Sequence, residues 1–552
     1  MKTNSRYIAY LIPALLVFLL YGYSLKYDFI YDDFETIVNN VSVHSLKNAG
    51  KFFYDRETTA TDSHLIYEIY RPVKNLSCAM DYYLYKRNAS GYHFTNLIFH
   101  LIVTLLLLRL FRQIGFKIFT NIFCVSLFAV HPVLSHNVSY ISARADIICA
   151  MFLILTLLFY LREEKKISDL IISYISFVFA CFSKETAIIF PLFIVFVNIF
   201  KKQKYYHSIP FFLIAGIYFI TRQNIVLDLA QQEGFRGGSF FAAQAAMVKA
   251  WVLYITGFLL PVRMDIIPAI AIERTFLNIR SISSLAFLLA VIFMCFRFRN
   301  KISFSFAGLL WFVLFLLPVS NLIPIKAIMS WRFIYIPFIG LIYAFAAFID
   351  KYNLRTGFKT ILFIWLGLLS VYSFHISSKF YNDYTLWMPL IEKYPHLSKP
   401  YRVVSFYYLK NGSVVKAREY LEKGLKIIPN DEYLKWDLAK LELQENNIQK
   451  AYDILSGLSE LFRKEAGYKF TYDFVYACYQ LEKYDEIFKT IKVTNIEETP
   501  PEVLFIQAHA CVLTDKNKLA VELYKEILNK DNSIPQRNEI LGIIKELSST
   551  GF

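Results

Sequence analysis

Apolar runs long enough to cross a lipid bilayer recur through the first 378 residues and then stop, which makes most of this chain a membrane-embedded helix bundle. A hydrocarbon core about 30 Å thick needs about 17 to 25 apolar residues per helical crossing. Inside it every backbone polar group must find its partner within the segment. Such runs occur at 7–25, 94–111, 118–135, 146–161, 281–297, 304–323, 332–349 and 359–376, with shorter ones at 168–182, 185–200 and 208–221. Eleven spans are expected. The run at 7–25 is expected to be a retained anchor, because Lys26 follows it and no small-residue cleavage pattern is present.

Short loops rich in Lys and Arg stay on the cytoplasmic side. The clusters "RLFRQIGFK" (109–117), "LREEKK" (161–166), "KKQK" (201–204), "RFRNK" (297–301) and "DKYNLRTGFK" (350–359) therefore mark inner turns. The loop after the first span, about residues 26–92, then faces outward, as does everything after residue 378. A further apolar run, 244–262, breaks this alternation and is expected to lie along the interface or re-enter. The formal charge of +15 follows the same clusters rather than one basic face, so no nucleic-acid partner is indicated. Seven cysteines without paired metal-ligand spacing indicate neither a disulfide framework nor a zinc site.

After residue 397 the pattern becomes helical, with turn signals "KNG", "ENN", "EKY" and "DKN" about 34 residues apart. Ala417, Ala451 and Ala520 recur in register, and Glu486 breaks the series. This spacing predicts a tetratricopeptide (TPR) solenoid over 397–552, of about four helix pairs and a polar capping helix from about residue 535. Each pair needs a neighbour to bury its apolar face. An unspecific helical bundle is the competing reading.

The fold expected is thus all-α, a polytopic membrane bundle over 1–378 followed by the solenoid. Ionisable residues at membrane depth are costly and raise a functional hypothesis. Here they gather near the outward ends of different spans: His131, Arg144, Asp146, Lys184, Glu185 and Arg332, on the same side as Asp32 and Asp33 in "FIYDDFETIVNN". Cations beside carboxylates suit a lipid-linked anionic donor, the cations holding phosphate and a carboxylate taking a proton from the nucleophile. The plainer readings stay open. Two acids after a first span also suit a solvated loop or a helix cap. Arg144 and Asp146 also suit a structural pair, Lys184 and Glu185 a capped turn, Arg71 a loop anchor, and His93, His100 and His131 packing roles.

Taken in order, "FIYDDFETIVNN", "YRPVKNLSCAMDYYLY", "GYHFTNLIFHL", "FAVHPVLSHNVSYISARADIICAMF", "FSKETAIIFPL", "LLPVSNLIP" and "WRFIYIPFIGL" resemble the transmembrane and tetratricopeptide repeat-containing proteins, within the GT-C glycosyltransferase superfamily. That resemblance implies inverting transfer of a sugar, mannose in the eukaryotic branch, from a polyprenyl-phosphate carrier to an acceptor hydroxyl on protein. It implies that Asp33 or Asp32 is the catalytic base. It further implies that His93, Arg144, Asp146, Lys184 and Arg332 line the donor-phosphate or sugar site, to which Arg71, His131 and Glu185 are added as candidates. The chain departs from the family pattern at Ser135, His136 and Asn137 after the His-Pro motif, and before Arg332, where Trp331 stands.

No cofactor is required on this reading, and a divalent metal is not indicated. The partners implied are a polyprenyl-phosphate sugar, an acceptor polypeptide or glycan held by the TPR groove, and the bilayer. A bacterial-type cell membrane with the TPR part outward is expected, with the endoplasmic reticulum as the alternative; sequons at Asn75, Asn88 and Asn411 do not separate them. A membrane-anchored TPR scaffold without catalysis is the main rival. A secondary transporter would need paired Gly/Pro-broken helices in two halves, and no such pairing occurs.

Overall fold

We describe the fold from a computed structural model, which describes residues 2–60, 69–201, 205–225, 234–235, 237–262, 264–267, 278–297, 303–325, 327–352, 354–491, 499–530 and 537–549. Every element among them is helical. The chain divides into two compact units, Met1–Leu386 and Trp387–Phe552.

In the first unit the helices are α1 (Lys2–Tyr21), α2 (Pro72–Tyr85), α3 (Ala89–Ile114), α4 (Ile118–Val130), α5 (Arg144–Tyr160), α6 (Ile167–Ser183), α7 (Phe190–Lys201), α8 (Ile209–Ile225), α9 (Phe240–Leu259), α10 (Ile279–Arg297), α11 (Ser303–Leu316), α12 (Tyr335–Lys351) and α13 (Thr356–Ser378). Each apolar run read from the sequence falls on one of them. Large apolar side chains stay exposed in stripes, as at Ile209, Leu213, Ile217 and Ile220 on α8 and Ile361, Ile364, Leu368 and Val371 on α13. Spacing of three or four residues puts each set on one face, the arrangement of helices that meet lipid.

By length and composition five described helical segments suffice to cross: Ala89–Ile114, Ile141–Tyr160, Phe240–Leu259, Trp331–Lys351 and Thr356–Tyr381. A sixth is the pair Ile118–Val130 and Pro132–Val138, bent by 43°. The bend sits at Pro132, whose ring removes a backbone donor. Four other expected spans correspond to shorter apolar helices, Tyr10–Lys26, Ile167–Ser183, Ile279–Ala290 and Ser305–Val319. Phe240–Leu259, expected to lie flat or re-enter, is itself long and apolar enough to cross. Of the basic turns, all but the first residue of "KKQK" and of "RFRNK" lie outside the described residues.

Small residues let spans approach closely. Gly308 on α11 and Gly340 on α12 face one another so tightly that a methyl group on either would overlap the other's carbonyl. Trp311 Nε1 donates to Ile336 O across the same contact at 2.8 Å.

The loop after α1 is a compact cap of short helical turns. Phe29, Ile37, Val43, Phe52, Cys78 and Ala79 bury one another against Tyr92 and Ile141, near the starts of α3 and α5. Polar ties fix the cap in place: Ser90 Oγ donates to Leu25 O at 2.5 Å, and Asp28 N to Tyr381 O at 2.9 Å.

The second unit contains four helix pairs: Ser398–Lys410 with Val414–Ile427, Glu432–Gln444 with Ile448–Ser456, Glu460–Gln480 with Tyr484–Thr490, and Pro501–Leu513 with Asn517–Lys530, then a last helix, Arg537–Ser549. Left-handed backbone at Gly412, Asn446, Glu482 and Asp515 closes each pair, at intervals of 34, 36 and 33 residues. Five residues after each lies a fully buried position, Ala417, Ala451, Ile487 and Ala520. Seven before each lies another, Ser405, Ala439, Val475 and Ala508. In the first pair these two positions touch, Ser405 Oγ donating to Ala417 O at 3.0 Å. This is a TPR solenoid, as the period predicts. The third register residue is Ile487, not Glu486, because the preceding interval is two residues longer; Glu486 instead accepts from Tyr452 Oη at 2.6 Å.

Candidate active site

Tyr31 adopts left-handed backbone, φ +49°, a conformation that costs a bulky side chain ~1–2 kcal/mol. It is held because its N–H donates to Asp383 Oδ1 at 3.1 Å, just beyond α13. A π-helical turn, Phe34–Val38, follows. Between these two features the adjacent acids diverge.

Asp33 turns inward and is fully buried. Its Oδ1 accepts from Ser142 N at 2.9 Å and Ser142 Oγ at 2.5 Å, and its Oδ2 from Ile30 N at 3.2 Å. Burial pushes this carboxyl up to about 7, with the Ser142 and Ile30 hydrogen bonds and the Lys74 charge offsetting part of the rise. Asp32 points the other way. Its side chain keeps 21% exposure, and its Oδ2 faces Arg332 Nη1 at 3.7 Å, while Arg332 is 37% exposed. Tyr140 is buried within electrostatic reach of both carboxylates, and its hydroxyl completes no hydrogen bond of ordinary geometry.

From Arg332 a row of charges continues through Phe333. That ring sits 5.8 Å from the Arg332 guanidinium and 5.7 Å from Lys184 Nζ, within cation–π range of both. Lys184 is paired with Asp146, both buried. Glu185, the next residue, receives Arg71 through two hydrogen bonds, Nη2 to Oε1 at 2.6 Å and Nε to Oε2 at 3.0 Å. Arg71, Asp146, Lys184, Glu185, Arg332 and the acidic pair thus come together at one end of the membrane unit.

The remaining expected site residues are differently engaged. Arg144 does not pair with Asp146; it is fully buried against Asp81 at 2.5 Å, and also donates to Asn96 Oδ1 at 2.5 Å, Tyr92 O at 2.8 Å and Ser77 Oγ at 3.4 Å. Its donors are therefore spent inside the protein, where they lock α2, α3 and α5 together. His131 accepts from Val133 N through Nδ1 at 3.3 Å, so its Nε2 carries the proton it donates to Phe258 O at 3.0 Å. Both nitrogens are used, and the ring packs on Phe338. His93 is buried edge-on to Tyr27, with Nε2 3.4 Å from Asp28 O and Nδ1 without a hydrogen bond.

Sequence reasoning did not single out Ser142, Tyr140, Phe333, Lys74, Asp81 or Asp383. Two of these had a usable signal: Ser142 stands two residues before Arg144, and Lys74 one turn after Arg71. Among the described residues no three His, Cys, Asp or Glu side chains converge so as to hold a metal ion.

A multi-pass membrane protein with a capped carboxylate–cation site, continued by a TPR solenoid, is the class these features define. Comparison with known proteins agrees with the motif resemblance. No family model matches. The chain is 33% identical over 145 residues to Protein O-mannosyl-transferase F38B6.6 of Caenorhabditis elegans, covering 25% of this chain and 21% of that one. It is 35% identical over 155 residues to mouse Protein O-mannosyl-transferase TMTC1, covering 26% and 16%. Human Protein O-mannosyl-transferase TMTC3 aligns over 474 residues at 23% identity, covering 74% of this chain and 50% of that one. The chain thus spans about half the length of TMTC3, and its matches to the other two cover shorter stretches. Among solved structures the APC/C hetero-tetramer Cut9–Hcn1 aligns with a TM-score of 0.25 and 10% identity, over 86% of this chain and 89% of that one.

Proposed function

We propose that this protein is an inverting GT-C glycosyltransferase that moves a mannose-like sugar from a polyprenyl-phosphate carrier to a hydroxyl on an acceptor polypeptide. The observation that carries this is the partly open Asp32 facing Arg332 beside a row of cations, in a chain whose curated relatives are named protein O-mannosyl-transferases.

Asp32 is the base, because Asp33 is sealed and its oxygens are engaged by Ser142 and Ile30. As the acceptor oxygen bonds to the anomeric carbon, its proton passes to Asp32, and the carbon–oxygen bond to the phosphate breaks with its electron pair on the leaving phosphate. A positioned base supplies about 10² to 10⁴ in rate. Arg332, Arg71 and Lys184 balance the negative charge that migrates from carboxylate to phosphate. These cations serve without a divalent ion, so chelators are expected to leave transfer intact. Asp33 holds the loop in register. The TPR groove holds the acceptor, and the site faces the outside of a bacterial-type cell membrane.

The test is transfer of labelled sugar from polyprenyl-phosphate donors to polypeptide acceptors by the purified full chain. Transfer to protein supports the reading, and its absence with every donor and acceptor leaves a TPR scaffold as the better account.

A further inference from the structure

Around the acidic pair, four cations each have a carboxylate at hand: Arg332 has Asp32, Arg71 has Glu185, Lys184 has Asp146 and Arg144 has Asp81. Lys74 is a fifth. It is 5% exposed, and among the described residues it makes no hydrogen bond or ion pair, although Asp33, Arg71 and Arg144 all bear on its charge. Asp33 acts on that charge without bonding it, since its carboxylate turns to Ser142 and Ile30.

A buried ammonium offers three donors and gains nothing from them unless an acceptor arrives. Burial accordingly pushes the Lys74 ammonium down from the ordinary lysine range. Lys74 lies in the first turn of α2, three residues after Arg71, which caps the start of that helix, and the Arg71 charge bears on it. Arg71 keeps 21% exposure. The two cations therefore sit together at the start of α2, within the cap that follows α1.

We propose that Lys74, with Arg71 beside it, binds the phosphate of a prenyl-linked phosphate ester. The inference rests on the sugar-transfer reading for the identity of the ligand, and it names the group that receives the phosphate. Asp32 takes up a proton during transfer while the departing phosphate gains one negative charge. An ammonium bonded to no carboxylate is the group best placed to meet that new charge.

The test is binding rather than turnover. The full chain in detergent is titrated with farnesyl phosphate, with inorganic phosphate and with farnesol, as wild type, Lys74→Met, Lys74→Gln and Lys74→Arg. Unliganded thermal midpoints identify which variants fold. Wild type is expected to bind farnesyl phosphate most tightly. Lys74→Met or Lys74→Gln, whichever folds, weakens that binding at least about tenfold, the range for a lost charge-assisted hydrogen bond, and Lys74→Arg largely restores it. Wild-type affinity in the neutral variants overturns the assignment. Equal binding of inorganic phosphate and farnesyl phosphate overturns the lipid-linked part, as does equal binding of farnesol. Loss of binding in the variants of a protein that transfers no sugar would keep the phosphate site and remove the transferase reading; normal binding in variants of an active transferase would do the reverse.

Discussion

The backbone N–H of Tyr31 donates to the carboxylate of Asp383 at 3.1 Å, joining residues 352 positions apart. This bond ties the loop after the first helix to the chain just beyond the last membrane helix, and it holds the left-handed turn from which Asp32 and Asp33 diverge.

Asp383→Ala should therefore impair transfer without removing any group that meets substrate. Loss of alignment can cost up to about 100-fold. Asp383→Asn keeps an acceptor oxygen and should stay near wild type. Steady-state rates of the two variants check this, and equal rates for both would remove the positioning role.

Asp33 makes stability depend on pH. Its folded value of about 7 lies above the ordinary 3.8, so the folded protein holds a proton that the unfolded chain releases. The stabilising contribution is complete below pH 3.8 and is lost as pH rises through about 7. Wild type should lose stability across that window relative to Asp33→Asn, in which the group no longer titrates. Thermal midpoints of both proteins between pH 4 and 8 measure the difference, and parallel curves would contradict it.

Arg144 and Asp81 form a buried pair at 2.5 Å. Removing one partner strands the other, at about 3–5 kcal/mol. Arg144→Met should destabilise the fold by that order, while Arg144→Met combined with Asp81→Leu should cost less than the two single changes added together. Unfolding of the four proteins in a double-mutant cycle gives the coupling. Additive effects would mean that the pair is not the source of the stability.

Glu482 sits at φ +57° in the turn that closes the third TPR pair. Glycine adopts this conformation without steric cost. Glu482→Gly should raise stability by up to about 1 kcal/mol, the gain being reduced by the added freedom of the unfolded chain. A lower thermal midpoint of the full chain would contradict this.

Helices were legible because apolar runs and a repeat period are local properties of the chain. The TPR positions Ala417, Ala451 and Ala520 were readable for the same reason, while Ile487 was missed because one interval is two residues longer than the first. Side-chain partnership is not local. Ser142 lies 109 residues from Asp33, and Asp383 lies 352 from Tyr31. Nothing in the spacing of Arg144 and Asp146 shows that the first turns to Asp81 and the second to Lys184. The length of the apolar run at 244–262 was visible, but the rule of alternating loops assigned it to the interface. Phe240–Leu259 has the length to cross because the helix begins four residues earlier, at Ser239 as its cap.

The central claim is that Asp32 takes the proton of the acceptor. Single-turnover transfer from a labelled polyprenyl-phosphate sugar to polypeptide, comparing wild type with Asp32→Asn at matched thermal stability, addresses it directly. The account predicts a fall of about 10² to 10⁴ in the transfer step with donor binding retained. Transfer at the wild-type rate by Asp32→Asn would contradict it.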